Sequence, residues 1–576
     1  MNKKLLVISI SLGAALAHAQ KLAPELEQRQ DQSDVAIIVQ YKATPTAMHH
    51  AKIAQWGGKL QHEFGFIRAA HYTVPAKALA LIANSEDVAY VTPDRAVSGT
   101  LAISGAVTNA GYATKIGLNA SGVGVAVIDS GIAPIPDLLL VTGDHQDFTG
   151  EYNAWADPFG HGTHVAGIIA GTALDQSYND PTPNLKGLAQ GANLLNLRVL
   201  DGNGAGTDSA VIAAIQYAIA NKSIYNIRVI NLSLGRPVFE SYTLDPLCQA
   251  VEQAWKAGIV VVVAAGNLGR NTANNGYMTI TAPGNDPYVI TVGAINTLGS
   301  TNRANARMAS YSSRGPTLDS GIIKPDIIAP GNRVISTSPG GGSTLTADYP
   351  QIQIPINTIE ANPSTASSPY YIQLSGTSMA TPMVSAAAAL LVSQNSKMTP
   401  DQVKARLMMT AYKIFPASST VKDPTTGITY TDQYDIFTVG AGLLDIQAAL
   451  INTQLATGSA MSPAVGYNAT TKTWTMLTAK PATNSGLTYS ANVVWGSNVV
   501  WGSNVVWGSN VVWGSNVVWG SNVVWGSTSV TGANVVWGSN NLTGMSMVIG
   551  QNVVWGSTSN VASPEAIQQL IMGDPQ

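Results

Sequence analysis

Val123-Gly124-Val125-Ala126-Val127-Ile128-Asp129-Ser130-Gly131 is the stretch that decides the fold. Residues 123–128 carry no charge and are rich in β-branched side chains, so the strand they form has no polar face. Such a strand needs cover on both sides, which is the condition of a parallel sheet inside an α/β domain. The same reading applies to Leu194–Val199, Val229–Leu234, Ile259–Ala265 and Val289–Val292, with helical stretches such as Ser209–Ala220 and Leu247–Ala257 between them. The region from about 100 to 455 is therefore expected to be one alternating α/β domain. The opening strand also delivers a carboxylate at its C-terminal end, where sheets of this class place their crevices.

The chain is 576 residues long, enough for several domains. Thirty basic against 33 acidic residues leave a net charge of -3, so no basic field exists to recruit nucleic acid. With 45% hydrophobic residues and so little net charge, general disorder is excluded. A single cysteine, Cys248, rules out an intrachain disulfide framework and a cysteine-based metal site, and its place in the helix Leu247–Ala257 suits a small buried hydrophobe.

Four segments could carry chemistry. Asp129 ends its strand, where a lone aspartate is ordinarily a cap or turn residue. Gly160-His161-Gly162-Thr163-His164-Val165-Ala166-Gly167 begins with glycines that let backbone come close and continues as a small-residue helix. Its His-x-x-His spacing suggests zinc, but the glutamate of a His-Glu-x-x-His helix is missing. Gly376-Thr377-Ser378-Met379-Ala380-Thr381-Pro382 places a serine at a helix start, where free N–H groups favour developing negative charge, although an ordinary N-cap reads the same way. Ala264-Ala265-Gly266-Asn267 ends the buried strand with an amide that could donate to an oxyanion or make a turn. Singly these are weak. Together they hold what a hydroxyl nucleophile requires: a base, a carboxylate to orient the base, and donors for a tetrahedral intermediate.

The order Asp129, His161, Ser378 and the surrounding words resemble the subtilisin family, or subtilases, over about residues 120–450. Val127–Gly131, His161–Gly167, Ser233-Leu234-Gly235, Ala264–Asn267 and Gly376–Pro382 carry the resemblance. It implies a doubly wound, mostly parallel α/β fold and serine endopeptidase activity on proteins or peptides, with no cofactor needed for the chemistry. Asp129 would orient His161, His161 would act as base and then acid, and Ser378 would attack the scissile carbonyl. The Asn267 amide and the Ser378 N–H would hold the oxyanion. Ser233, Leu234, Gly235, Ala264, Ala265 and Gly266 would bind substrate, the first three as the partner of an added strand. Calcium is a common loop-stapling ion in the family. Asp201-Gly202-Asn203-Gly204 has the residue types for it but no EF-hand spacing, so the expectation is a structural calcium without an assigned site.

The flanks are read outward from this core. Lys3 and Lys4, the apolar run Leu5–Ala17 and Ala17-His18-Ala19 have the form of a secretory signal over residues 1–19, and no later stretch is long and apolar enough to span a bilayer. The protein is expected to be exported, to the medium or the periplasm. Residues 34–99 read as strand (Val35–Tyr41), helix (about Pro45–Trp56), strand (about Phe64–Tyr72), helix (about Pro75–Ala83) and strand (Val88–Thr92), a small α+β domain. By resemblance this block is the propeptide of a zymogen, an intramolecular inhibitor cut from the enzyme between Asp94 and Ser104. Residues 332–375 exceed what compact subtilases carry and, with Gly340-Gly341-Gly342 and Pro363–Pro369, read as a loop excursion near the nucleophile. Residues 456–576 form an extension in which Asn-Val-Val-Trp-Gly-Ser occurs six times without a break from Asn492 and again at Asn534 and Asn552. This repeat is a β-rich or irregular stack, or a tryptophan ladder for a cell-surface or polysaccharide contact. The alternative function is accordingly a surface- or carbohydrate-binding protein with a secondary peptidase domain.

Overall fold

The structure is a computed structural model. It describes residues 21–22, 26, 33–64, 68–93, 100–139, 142–151, 155–173, 185–359, 364–423, 426–468, 473–477, five short strands between 517 and 543, and 573–574. The signal-like residues 1–19 and residues 94–99 of the junction expected between Asp94 and Ser104 lie outside the described residues, and a helix begins at Thr100. The chain divides into two compact units, Met1–Val97 and Ser98–Gln576.

In the first unit β1 (Asp34–Tyr41) alternates, with Val35, Ile37, Val39 and Tyr41 buried, so one face of the sheet meets a core. A helix (Ala47–Gln55) leads to β2 (Lys59–Phe64) and β3 (Ala69–Pro75), and a helix (Leu79–Ala83) to β4 (Val88–Pro93). The order is β2-β3-β1-β4 with every pairing antiparallel. This is a split βαβ arrangement whose helices contribute Ile53, Leu79 and Ile82 to the core. The single strand expected around Phe64–Tyr72 is in fact the adjoining halves of the β2–β3 hairpin. Local composition did not mark that turn.

The second unit is built on β5 (Gly124–Asp129), β6 (Thr142–Asp147), β7 (Asn193–Arg198), β8 (Ile227–Leu232), β9 (Val260–Ala264), β10 (Ile290–Asn296), β11 (Arg307–Met308) and β12 (Ile327–Pro330). They form one sheet in the order β11-β10-β9-β8-β5-β7-β6, with β12 also on β10. All pairings are parallel except that of β11. Every residue of β5, β9 and β10 is buried, as two-sided cover demands. The helix Thr377–Gln394 packs on β8, β9, β10 and β12 and against the helix His161–Ala170. Its residues 377–392 are all buried, and Ala386–Ala389 keep its surface thin enough for the strands to approach closely. The helices Asp208–Ala220 and Pro246–Lys256 pack together and reach β5 and β9. This is the doubly wound α/β fold the strand pattern leads to. Cys248 is fully buried, as its helix position implied, with its thiol on the Asn285 Oδ1 at 3.3 Å.

Residues 332–375 are not a loop. They contain β13 (Val334–Thr337), a helix (Thr344–Asp348), β14 (Gln353–Pro355) and β15 (Ser367–Leu374), which make an antiparallel sheet ordered β13-β15-β14. Gly340–Gly342 lie between β13 and the helix, whereas Pro369 lies within β15. In the extension, the strand Ala464–Asn468 pairs with the strand Thr473–Leu477, and three short strands fall on Val-Val-Trp triplets of the repeat, at 517–519, 523–525 and 535–537. Among the described residues no helix is long and apolar enough to cross a membrane.

Candidate active site

β5 ends on Asp129, and the carboxylate lies in a dry site, 1% exposed. Its Oδ1 accepts from the Ser130 N–H and pairs with the His161 Nδ1, each at 2.8 Å. Its Oδ2 has no hydrogen-bond partner among the described residues. His161 is the first residue of its helix, reached through Gly160 at φ +98°, a left-handed turn that favours glycine. Close approach also requires Gly162, where a Cβ would sit 2.1 Å from the Gly131 carbonyl oxygen. Burial works against charging the His161 ring, but the charge and hydrogen bond of Asp129, with the charge of Asp157, outweigh it and raise its pKa above the usual 6.5.

Asp157 was not among the residues singled out from the sequence. Its carboxylate accepts from the Ser130 hydroxyl, the Gly160 N–H, and the N–H and hydroxyl of Thr163, all within 2.8 Å. It therefore caps the histidine helix and ties it to the residue after Asp129. An acid shortly before a helix start was the available signal. Burial raises the pKa of this carboxyl despite its four donors. The other histidine, His164, places Nε2 3.0 Å from the Val334 carbonyl oxygen, and burial, with repulsion from His161, depresses its pKa to about 3. It is an inward structural group, which leaves the zinc spacing without a second ligand.

Ser378 is the second residue of the helix Thr377–Gln394, and Pro382 stands one turn on. A proline has no N–H, so the Ser378 carbonyl lacks its intrahelical donor. The Ser233 hydroxyl donates to that carbonyl at 2.8 Å, and the Ser378 hydroxyl donates to the Ser233 carbonyl at 3.0 Å. This reciprocal pair fixes the nucleophile helix to the chain leaving β8. The Ser378 hydroxyl is thus on Ser233 and makes no hydrogen bond to His161, so the structure joins Asp129 to His161 directly but not His161 to Ser378. Leu234 is half-buried and Gly235 exposed, so the segment beyond Ser233 is open to a partner strand.

Asn267 follows Ala264, Ala265 and Gly266 (φ +103°) at the end of β9. Its Oδ1 accepts from the Thr377 N–H at 2.9 Å and the Thr377 hydroxyl at 3.1 Å, and that hydroxyl lies 3.2 Å from the Gly266 nitrogen. With Oδ1 occupied, Nδ2 is the group left to donate, and it lies 3.3 Å from the Cβ position of Gly376. The segment bearing β13 and the helix Thr344–Asp348 supplies a wall. Thr344 and Leu345 donate N–H bonds to the carbonyls of Pro158 and Phe159, and the Thr337 hydroxyl donates to the Thr163 carbonyl. Against this wall lies a cavity of about 270 Å³ lined by Phe159, Asp201, Asn203, Leu345, Asp348 and Tyr349 among others. Asp201 Oδ1 is taken up by the N–H groups of Asn203 and Ala205, and no group of three His, Cys, Asp or Glu side chains converges among the described residues.

A mostly parallel sheet that offers an acid–imidazole pair and a helix-start serine at its carboxyl edge is a scaffold of serine-type peptidases. Residues 120–442 match the model of the subtilase family. Serine protease AprX of Bacillus subtilis is 35% identical over 60% of this chain and 74% of its own length. Subtilisin E of the same organism is 35% identical over 72% of this chain and 89% of its own. Among solved structures, sphericase aligns with 57% of this chain and 93% of its own at 29% identity, with a TM-score of 0.43. The chain belongs to the subtilase family and is a subtilisin-like serine endopeptidase.

Proposed function

We propose that Asp129, His161 and Ser378 form the catalytic triad of a secreted, self-processing endopeptidase. The 2.8 Å Asp129–His161 contact carries this reading, because a buried carboxylate on Nδ1 leaves Nε2 to take a proton. Rotation of the Ser378 side chain away from the Ser233 carbonyl brings the hydroxyl to that nitrogen. The Ser378 oxygen then attacks the scissile carbonyl as its proton passes to His161. Asn267 Nδ2 and the Ser378 N–H donate to the oxyanion, and His161 returns the proton to the leaving amine. Water repeats the cycle on the acyl-enzyme. Substrate lies as an added strand along Ser233–Gly235, facing Ala264–Gly266.

Residues 1–19 direct export and residues 34–99 are the inhibitory propeptide, cut by the enzyme itself between Asp94 and Ser104. The antiparallel sheet with helices, a fold complete in itself, supports the second assignment. Ser378→Ala tests the triad and self-processing together. Peptide hydrolysis falls about a millionfold, the scale carried over from subtilisin itself, and the secreted chain keeps residues 34–99 attached. Trimming near residue 100 by purified Ser378→Ala chain would refute self-processing.

A further inference from the structure

Gly573–Asp574 is seated in the peptidase unit, far along the chain from everything that touches it. Asp574 is fully buried. Its Oδ1 accepts from the Arg270 guanidinium at 2.8 Å and the Ser310 hydroxyl at 2.6 Å, and its Oδ2 from the Ser310 N–H at 2.7 Å. Its backbone is gripped as well: the Asp574 N–H donates to Asn332 Oδ1 at 2.7 Å, and Asn332 Nδ2 donates to the Asp574 carbonyl at 3.0 Å. The guanidinium is itself held, by Asp423 at 2.7 Å and by the Ser310 hydroxyl at 2.9 Å. Gly573 has φ +57°, and a Cβ there would fall 2.3 Å from the Ser375 Oγ and 2.5 Å from the Asn332 Oδ1. The niche thus reads two features at once, a residue without a side chain and then a carboxylate. Such charge-assisted, fully satisfied contacts are the strong ones.

We propose that Arg270, Ser310 and Asn332 form a receptor for the Gly573–Asp574 dipeptide of the same chain, closing the repeat-bearing extension into a loop tied to the peptidase unit at both ends. The near tie is on the page too. The Ile323 N–H donates to the Pro463 carbonyl, the Val465 N–H to the Gly321 carbonyl, and the Ser462 hydroxyl to Asp326 at 2.5 Å. A cut anywhere between Leu477 and Gly573 then leaves the distal piece bound. The niche backs onto the strand end that leads into the nucleophile helix: the Ser375 hydroxyl beside Gly573 accepts from the Arg333 N–H, and the Gly376 N–H donates to the Gly331 carbonyl.

The test uses the full chain carrying Ser378→Ala, to suppress self-digestion, with an orthogonal protease site inserted after Asn560. After nicking, gel filtration measures how much of the fragment from Val561 onward stays with the body. Retention is expected with the natural dipeptide. Asp574→Ala, Asp574→Asn and Gly573→Ala each weaken it by roughly a factor of ten or more, since each unpairs or displaces a charge-assisted contact. The proposal is overturned if the natural fragment leaves as freely as the Asp574→Ala fragment, or if all variants retain it equally. Retention that passes between copies on mixing labelled and unlabelled chains would overturn closure within one chain.

Discussion

Two buried acid–base pairs in the same unit are finished very differently. At Asp574 both carboxylate oxygens are bonded, the guanidinium is shared with Asp423 and Ser310, and the peptide group is gripped by Asn332. At Asp129 one oxygen is occupied and the other has no partner, and the His161 Nε2 makes no hydrogen bond among the described residues. A saturated network holds its members in place, whereas an unsaturated one keeps capacity to accept or give a proton. The difference separates a fastening from the proposed reactive site, although both are buried aspartates.

The sharpest way to break this contrast is to damage each pair in turn. Asp129→Asn should cut kcat about 10⁴-fold by stabilising the wrong tautomer of His161 while the folded structure survives, measured by steady-state kinetics beside a thermal melt. Arg270→Ala should do the reverse. Leaving Asp574 and Asp423 without their cation should lower stability by about 3–5 kcal/mol in denaturant titration, with a much smaller change in kcat at a temperature where the fold persists. If Arg270→Ala behaved like Asp129→Asn, the distinction would collapse.

Next in size is Asn267→Ala. Loss of the Nδ2 donor should lower kcat about 10²–10³-fold with little change in KM, the range known for this position in subtilisins. A rise in KM alone would mean that the amide serves substrate binding.

The pH profile sharpens the reactive half of the comparison. As the proposed base, His161 must be neutral, and its pKa is raised, so kcat/KM should fall on the acid side through a limb above pH 6.5. Asp129→Asn should move that limb to lower pH, because the first cause opposing desolvation has been removed. The smallest effect at neutral pH belongs to His164, whose pKa is depressed to about 3. The unfolded chain takes up a proton near pH 6.5 and the folded one does not. Stability is therefore lost as pH falls from about 6.5 to about 3, by up to ~1.4 kcal/mol per pH unit. His164→Gln should flatten that slope in acid denaturation while leaving activity near pH 8 close to normal.

How far the sequence speaks can be judged residue by residue. β5, β9 and β10 are legible because their residues are buried and almost all apolar, and Asp129 and Asn267 because each follows such a run. His161 and Ser378 were legible as helix starts. Asp157 was missed because an acid in an Asp-Pro loop looks like any turn residue until its four donors are brought to it. The β13–β15 pairing joins Val334 to Leu374, forty positions further along a stretch of mixed composition, and no local pattern reports such a partner. The Ser233–Ser378 exchange had a visible cause in Pro382, but the deprived carbonyl finds its donor only through the fold. Gly573–Asp574 carried no signal at all, since a dipeptide becomes a motif only when a pocket fits it.

The wall formed by Thr344 and Leu345 has one more implication. Its amides hang on the carbonyls of Pro158 and Phe159, the two residues that lead through Gly160 to the imidazole. Displacing this wall would pull on the backbone that carries His161, so the rate of the proposed reaction is coupled to a segment that holds none of the proposed catalytic residues.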